Sequence, residues 1–322
     1  MSDFFFQLLL ILDSTLRIAT PLMLCAMAGI FSERSGIVDI SLEGKMLSGA
    51  FVAATVAALT GSAWAGLFCA MGAGVFMSLI HGFACITHRG DHVVSGVAIN
   101  ILASGLTVVL GIALFRRGGQ TPHLPKEDRF TPIEWIGVSV LDPVPVVGAV
   151  YRQLISGHNP LVYGALIAVP VCAFIIYHTR FGLRLRAVGE VPEAVDSAGV
   201  SVAWLRYRAL IAGGLLCGIA GAYLSIAQGA HFVREMSAGK GYIALAAVIF
   251  GNWRPIPAFL ACLLFGFLEA WTARLQGTTI WLLQDIPTPL VQAMPYVLTV
   301  LLLAGLIGRP RPPAAIGQPY GK

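Results

Sequence analysis

Asp39, Glu43, Asn100, Gln228 and Glu269 fall within or beside otherwise apolar stretches of the sequence. A polar or ionisable group in hydrocarbon is costly unless it is paired, so each is a candidate for lining the path of a polar solute or ion. Carboxylates there accept hydrogen bonds, and the two amides both donate and accept. Ser41, Ser95 and Ser104 add hydroxyls of the kind that suit a neutral, hydroxyl-rich solute. Competing structural roles are equally concrete. Asp39, Glu43 and Lys45 suit a cap and ion pair at a helix start, because acids favour the positive N-terminal end. Glu269 suits a helix–helix hydrogen bond or a pair with Arg274. His81 and His88 are seven apart and share a face of a continuous helix, but no third ligand stands at metal-binding spacing. His81 therefore reads as a satisfied core histidine, and His88 with Arg89 as an interfacial pair. The sequence contains no Gly-x-Ser-Gly and no His-Glu-x-x-His, which argues against an intramembrane enzyme. Nor is there a phosphate-cradling Gly-x-x-x-x-Gly-Lys-Ser/Thr, since Gly44-Lys45 is followed by Met46. Catalytic residues, a cofactor and a metal are accordingly not expected.

The elements that must position these residues are membrane helices. Hydrophobic residues make up 57% of the chain and charged ones only 11%, far from the roughly 25% charge of soluble domains. A spanning helix needs about 20 mainly apolar residues. Runs of that kind lie near 15–31, 41–60, 63–87, 92–114, 160–177, 207–227, 241–252, 255–275 and 289–308. The expectation is a polytopic, all-α integral membrane bundle of about 8–10 spans, with nine favoured, forming a single domain over 1–322. Residues 241–252 are too few to cross alone and read as broken or re-entrant, and Phe4–Leu12 reads as a further short membrane segment. The start lacks a basic region and cleavage site, so it does not resemble a removable signal peptide. Six cysteines, all within apolar runs and without CxxC spacing, read as small packing residues. The face containing Gly213, Gly214, Gly218 and Gly221 reads as a site of close helix packing.

The net charge of +5 is spread through short loops without an aromatic-interleaved patch, so nucleic acid is not expected as a partner. Topology accounts for it better. With 178–208 cytoplasmic, Arg34, Arg89, Arg254 and the tail 309–322 also fall inside, as short positive loops should. Loops near 61, 115–159, 228–240 and 276–288 then fall outside. Residues 115–159 hold several prolines and five basic against four acidic residues, and read as an external cap or plain connector. A faint echo links Gly36-x-x-x-Ile40-Ser-Leu42 with Gly239-x-x-x-Ile243-Ala-Leu245, short enough to arise by chance.

The loop 178–208 is unusual for an oily chain. Pro192 suits a first helical turn, Glu190 and Glu193 its positive end, and Gly199 its C-terminal cap. Arg180, Arg184, Arg186, Arg206 and Arg208 flank this short helix and suit membrane-lipid headgroups. The run Gly182-Leu-Arg-Leu-Arg-Ala-Val-Gly189-Glu-x-Pro192-x-Ala194-x-x-x-Ala198-Gly199 resembles the coupling loop of permease subunits of ABC importers for branched-chain amino acids, ribose and nucleosides. Ser32–Gly44, His92–Asn100 and Gly239–Gly251 agree in order, most closely with permeases of nucleoside importers served by a basic-membrane-protein type binding protein. The resemblance covers roughly Thr15–Gly308. Asp39 and Lys45 depart from it, standing where an asparagine and a hydrophobic residue are expected.

That resemblance implies a cytoplasmic coupling helix at Pro192–Ala198 docking on an ATP-binding cassette subunit. Gly189, Glu190, Pro192, Glu193, Ala194, Asp196, Ala198 and Gly199 would carry the contact. It implies further partners: a second, distinct permease chain and an extracytoplasmic substrate-binding protein. The expected role is ATP-driven import of nucleosides or related sugars across a bacterial inner (plasma) membrane. The alternative is an ion-coupled secondary transporter of small polar solutes, with Asp39, Glu43 or Glu269 carrying the ion.

Overall fold

The computed structural model describes residues 2–135, 147–275, 297 and 311–321. These residues are helical almost throughout and contain no strand beyond two isolated bridges, Gln120 with Val233 and Ile133 with His158. Helix α1 covers Ser2–Arg34, α2 Leu42–Thr60, α3 Ala63–Gly82 and α4 His92–Phe115. Next in sequence come α5, Pro160–His178, and two shorter helices, α6, Arg180–Glu190, and α7, Pro192–Ser197. The sequence continues with α8, Val202–Tyr223, α9, Lys240–Phe250, and α10, Pro255–Leu275. Seven of the described helices are long and apolar enough to cross a membrane. The expected span at 289–308, apart from residue 297, and the loop 276–288 lie outside the described residues.

Burial separates centre from rim. The apolar windows of α2 and of 202–228 are 78% and 72% buried, against 22% for α4 and 33% for both α5 and α10. Helices that are apolar all round reveal no inward face by periodicity, so this ordering comes from packing rather than pattern. Small residues permit the closest approaches. A Cβ on Gly74 would meet the Gly214 carbonyl at 2.2 Å, so α3 and α8 touch backbone to backbone.

Two boundaries and one internal echo differ from the expected ones for identifiable reasons. Phe4–Leu12 is not a separate segment but the start of α1. The charges thought to interrupt it, Asp13 and Arg17, pair at i,i+4 with 3.1 Å between their atoms and let the helix continue. Helix α8 begins at Val202 rather than 207, with the Ser201 side chain accepting from Trp204 N–H. Arg206 lies inside it almost fully buried, its guanidinium donating to Ser35 O. The Gly36 and Gly239 motifs do not repeat in register, because Ile40 precedes its helix whereas Ile243 lies within one.

The two ends of the bundle are chemically distinct. At one, residues 116–135 lie over the segment after α8 through Thr121 N–H to Phe232 O, Leu124 N–H to Ala230 O and Phe130 N–H to Ile226 O. At the other, Arg34, α6, α7, Trp253 and residues 311–321 gather. Arg34 Nε donates to Trp253 O, and Ala315 N–H donates to Gly189 O.

Candidate functional site

Two helices begin within the bundle rather than at its end. Cys25 Sγ lies 3.6 Å from Met46 Sδ, and Cys25 precedes the end of α1 by about 13 Å at 1.5 Å per residue. The first turn of α2 is therefore well inward of Arg34. Helix α9 has 11 residues, a length of about 16 Å against a core of about 30 Å. Its C-terminal end reaches Arg34 through Trp253, so its N-terminal end lies about 16 Å inward of that end of the bundle.

The two N-termini meet through Glu43. Its Oε1 accepts from Gly239 N–H at 2.8 Å and its Oε2 from Gly241 N–H at 2.6 Å. A carboxylate in the first turn of α2 thus satisfies amides at the start of α9 that no helix bond can reach. Gly241 is required sterically, because a Cβ there would lie 2.5 Å from the Glu43 nitrogen. Asn100 supports the same junction from α4. Its Oδ1 accepts from Gly44 N–H at 2.8 Å, and its Nδ2 donates to Ile40 O at 3.1 Å and to Tyr242 Oη at 2.9 Å.

Beside this junction opens a cleft of about 510 Å³, lined by Glu43, Leu47, Asn100, Ser104, Glu235 and Tyr242 among others. Ser104 Oγ donates to Glu235, which reaches in from the segment between α8 and α9. Glu235, Ala238 and Gly239 all have positive φ, so this segment folds back tightly on itself. The cleft combines apolar walls with carboxylate acceptors, an amide and a phenol, the donor and acceptor set that suits a hydroxylated ring solute.

Of the pathway candidates, Glu43, Asn100 and Ser104 come together here, whereas Asp39, Gln228 and Glu269 do not line the cleft. Asp39 and Lys45 form an ion pair with Nζ–Oδ2 at 2.6 Å and both side chains 0% exposed. Ser41 and Ser32 hydroxyls donate to the same carboxylate at 2.5 and 2.8 Å. Burial opposes ionisation of Asp39, but the Lys45 ammonium and these hydrogen bonds outweigh it and hold the carboxyl well below the usual carboxylate range. Asp39 and Lys45, the residues expected to depart from the resemblance, are each other's partners. Gln228 is exposed at the end of the π turn closing 202–228. Glu269 accepts from Lys240 at 3.1 Å, the helix–helix bond that is one of its two expected structural roles, and Arg274 donates to Gln7. His81 is a satisfied core histidine, 3.0 Å from both Ser95 Oγ and Val38 O. No group of three metal-ligating side chains occurs among the described residues. Glu235 and Tyr242 escape sequence reading: one stands in an ordinary polar loop and the other in an apolar run.

At the far end, α7 starts with Pro192 at its first turn. It closes with Gly199 N–H on Asp196 O and Val200 N–H on Val195 O, and Gly199 has φ +79, a conformation that favours glycine. Pro192 and Val195 turn inward, and Val195 packs with Val188, Val202 and Leu205. Glu193, Ala194, Ala198 and Gly199 face outward, with Asp196 half-buried. Gly189 is buried, its carbonyl taken by Ala315, and Glu190 is exposed and accepts from Ala314 N–H. The result is a small, braced knob with a mixed acidic and small-residue outer face.

Residues 11–303 match the family described as branched-chain amino acid transport system / permease component. The guanosine ABC transporter permease protein NupQ of Bacillus subtilis is 39% identical over 97% of this chain and 97% of its own length. The nucleoside ABC transporter permease protein NupC of Lactococcus lactis is 36% identical, again over 97% of each. The putative glucose ABC transporter permease protein TsgC13 of Haloferax volcanii is 33% identical over the same shares. No solved structure matches the chain.

Proposed function

The chain belongs to the branched-chain amino acid transport system permease family, and on that premise we propose that it carries nucleosides, or sugars related to them, through the cleft between α2, α4 and α9. Family membership makes it a multi-pass plasma-membrane subunit of an ABC transporter, a transport component rather than an enzyme, working with ATPase and substrate-binding partners. The cargo rests on one observation above others: two permeases named for nucleosides align with nearly the whole chain.

The cleft chemistry agrees with that cargo. A ribose offers hydroxyls to the carboxylates of Glu43 and Glu235, and a base offers a flat face and polar edge to Tyr242 and Asn100. Asp39 is paired with Lys45, Glu269 with Lys240, and Glu43 holds the Gly239 and Gly241 amides, which argues against the ion-coupled alternative. A second, distinct permease chain is the other part of the proposal. Bacillus subtilis holds a further guanosine permease protein, NupP, to which this chain is only 25% identical, so the chain takes the NupQ-like place in a pair. The outward residues of α7 then meet the ATPase.

The test is reconstitution of the chain with its ATPase, binding protein and second permease in proteoliposomes. ATP-dependent uptake of labelled guanosine, competed by other nucleosides and not by glucose, is expected. Uptake of glucose alone would overturn the cargo. Deletion of Glu193–Ala198 should abolish uptake while the chain still inserts, and full uptake by the deleted protein would overturn the coupling role.

A further inference from the structure

At the end of the molecule that carries α7, three arginines from three different elements converge on one cleft of about 550 Å³. Arg34 ends α1, Arg186 lies on α6 and Arg254 stands just before α10, with Tyr177, Ile256 and Pro257 completing the lining. Arg34 spends its Nε on Trp253 O at 2.9 Å. Arg186 stacks its guanidinium 5.2 Å above the Tyr177 ring, and its Nε is buried without a hydrogen-bond partner. No ion pair joins any of the three to a carboxylate among the described residues. Glu190, an acid whose charge acts on Arg34, holds Ala314 N–H instead. Three guanidinium groups brought together with one nearby carboxylate that is in ion-pair contact with none of them leave room for an anion, and their planar forks match phosphate oxygens.

The surroundings say what carries that anion. Phe174 lies one turn before Tyr177 and Leu260 one turn after Ile256, so both continue the faces that form the cleft. These side chains are 60%, 58% and, for Ile256, 59% exposed, an apolar wall running from the cleft towards the hydrocarbon. A ligand with an anionic head and apolar tails uses the arginines and the wall together, whereas free phosphate uses only the arginines. We propose that this cleft binds the phosphate headgroup of an anionic phospholipid of the cytoplasmic leaflet. Its place is the corner where α5 passes into α6, the helix that leads directly to α7. The lipid braces that corner, and the proposal is independent of the cargo.

The full chain, purified in neutral detergent, is titrated with phosphatidylglycerol, phosphatidylcholine and inorganic phosphate, reading retained lipid by native mass spectrometry and thermal unfolding. Phosphatidylglycerol is expected to bind selectively and raise the unfolding temperature. Arg186→Gln/Arg254→Gln should weaken it roughly 30-fold, at about 1 kcal/mol for each arginine near the lipid surface. Should the double variant fold poorly, Arg254→Gln alone, at an exposed position, should weaken it about fivefold. Equal binding of phosphatidylcholine, or undiminished phosphatidylglycerol binding by the folded variants, would overturn the site. An equal shift with inorganic phosphate would show an anion site and overturn the lipid.

Discussion

Lys45 is buried at the start of α2 with one carboxylate for company, and that makes its partner indispensable. Asp39→Asn removes the charge but keeps the shape, leaving an ammonium in a water-poor site, a loss of about 3–5 kcal/mol for a broken buried pair. Asp39→Asn/Lys45→Leu, which restores the residue types the family pattern leads one to expect, should recover most of the lost unfolding temperature. A double variant no more stable than the single one would refute this account. Because the Asp39 carboxyl is depressed in the fold, its contribution is fully present above the unfolded value of about 3.9. It is lost only as pH falls through the lower folded value. The pair should therefore leave unfolding temperature flat between pH 5 and 8. Sequence alone could mark Asp39, Glu43 and Asn100 because polar groups are conspicuous in apolar runs. It could not divide them between cleft and ion pair, since that depends on Lys45 turning towards Asp39. Glu235 gave no signal, because its partner Ser104 is 131 residues away.

Among the elements, α7 was legible from its ends, Pro192 and Gly199, and α9 from its length. Most of the remaining loop 178–208 is helical as well, and α6 was less readable because only Leu185 and Val188 of its apolar residues, with Gly182 and Gly189, turn inward. Layering of the long helices was not legible, since uniform hydrophobicity erases the periodicity that would mark an inner face. The knob formed by α7 is seated by Pro192 and Val195, the latter packed among Val188, Val202 and Leu205. Val195→Asp buries a carboxylate there without a partner, so α7 should undock. The expected outcome is an inserted chain that no longer co-purifies with the ATPase and shows no ATP-driven uptake. Retained co-purification would mean that the docking surface does not depend on this contact.

At the scale of the whole molecule, the tail 311–321 joins parts far apart in sequence. Arg311 N–H donates to Asn252, Ala315 N–H to Gly189 O, and Gly317 N–H to Gly36 O. Arg206 donates to Gln318 O, and Tyr320 packs on the cluster under α7. A chain cut after Pro310 should still insert its long helices, yet lose uptake by roughly tenfold or more as hydrogen bonds of about 1 kcal/mol each disappear. Unchanged uptake would mean that the tail is passive. During synthesis this segment leaves the ribosome after every part it touches, so α7, Gly36 and the end of α9 are joined only once the spans are laid down. With α7 as the proposed ATPase contact, that surface is braced only after residues 311–321 have emerged, and a product truncated before them would present an unfinished surface.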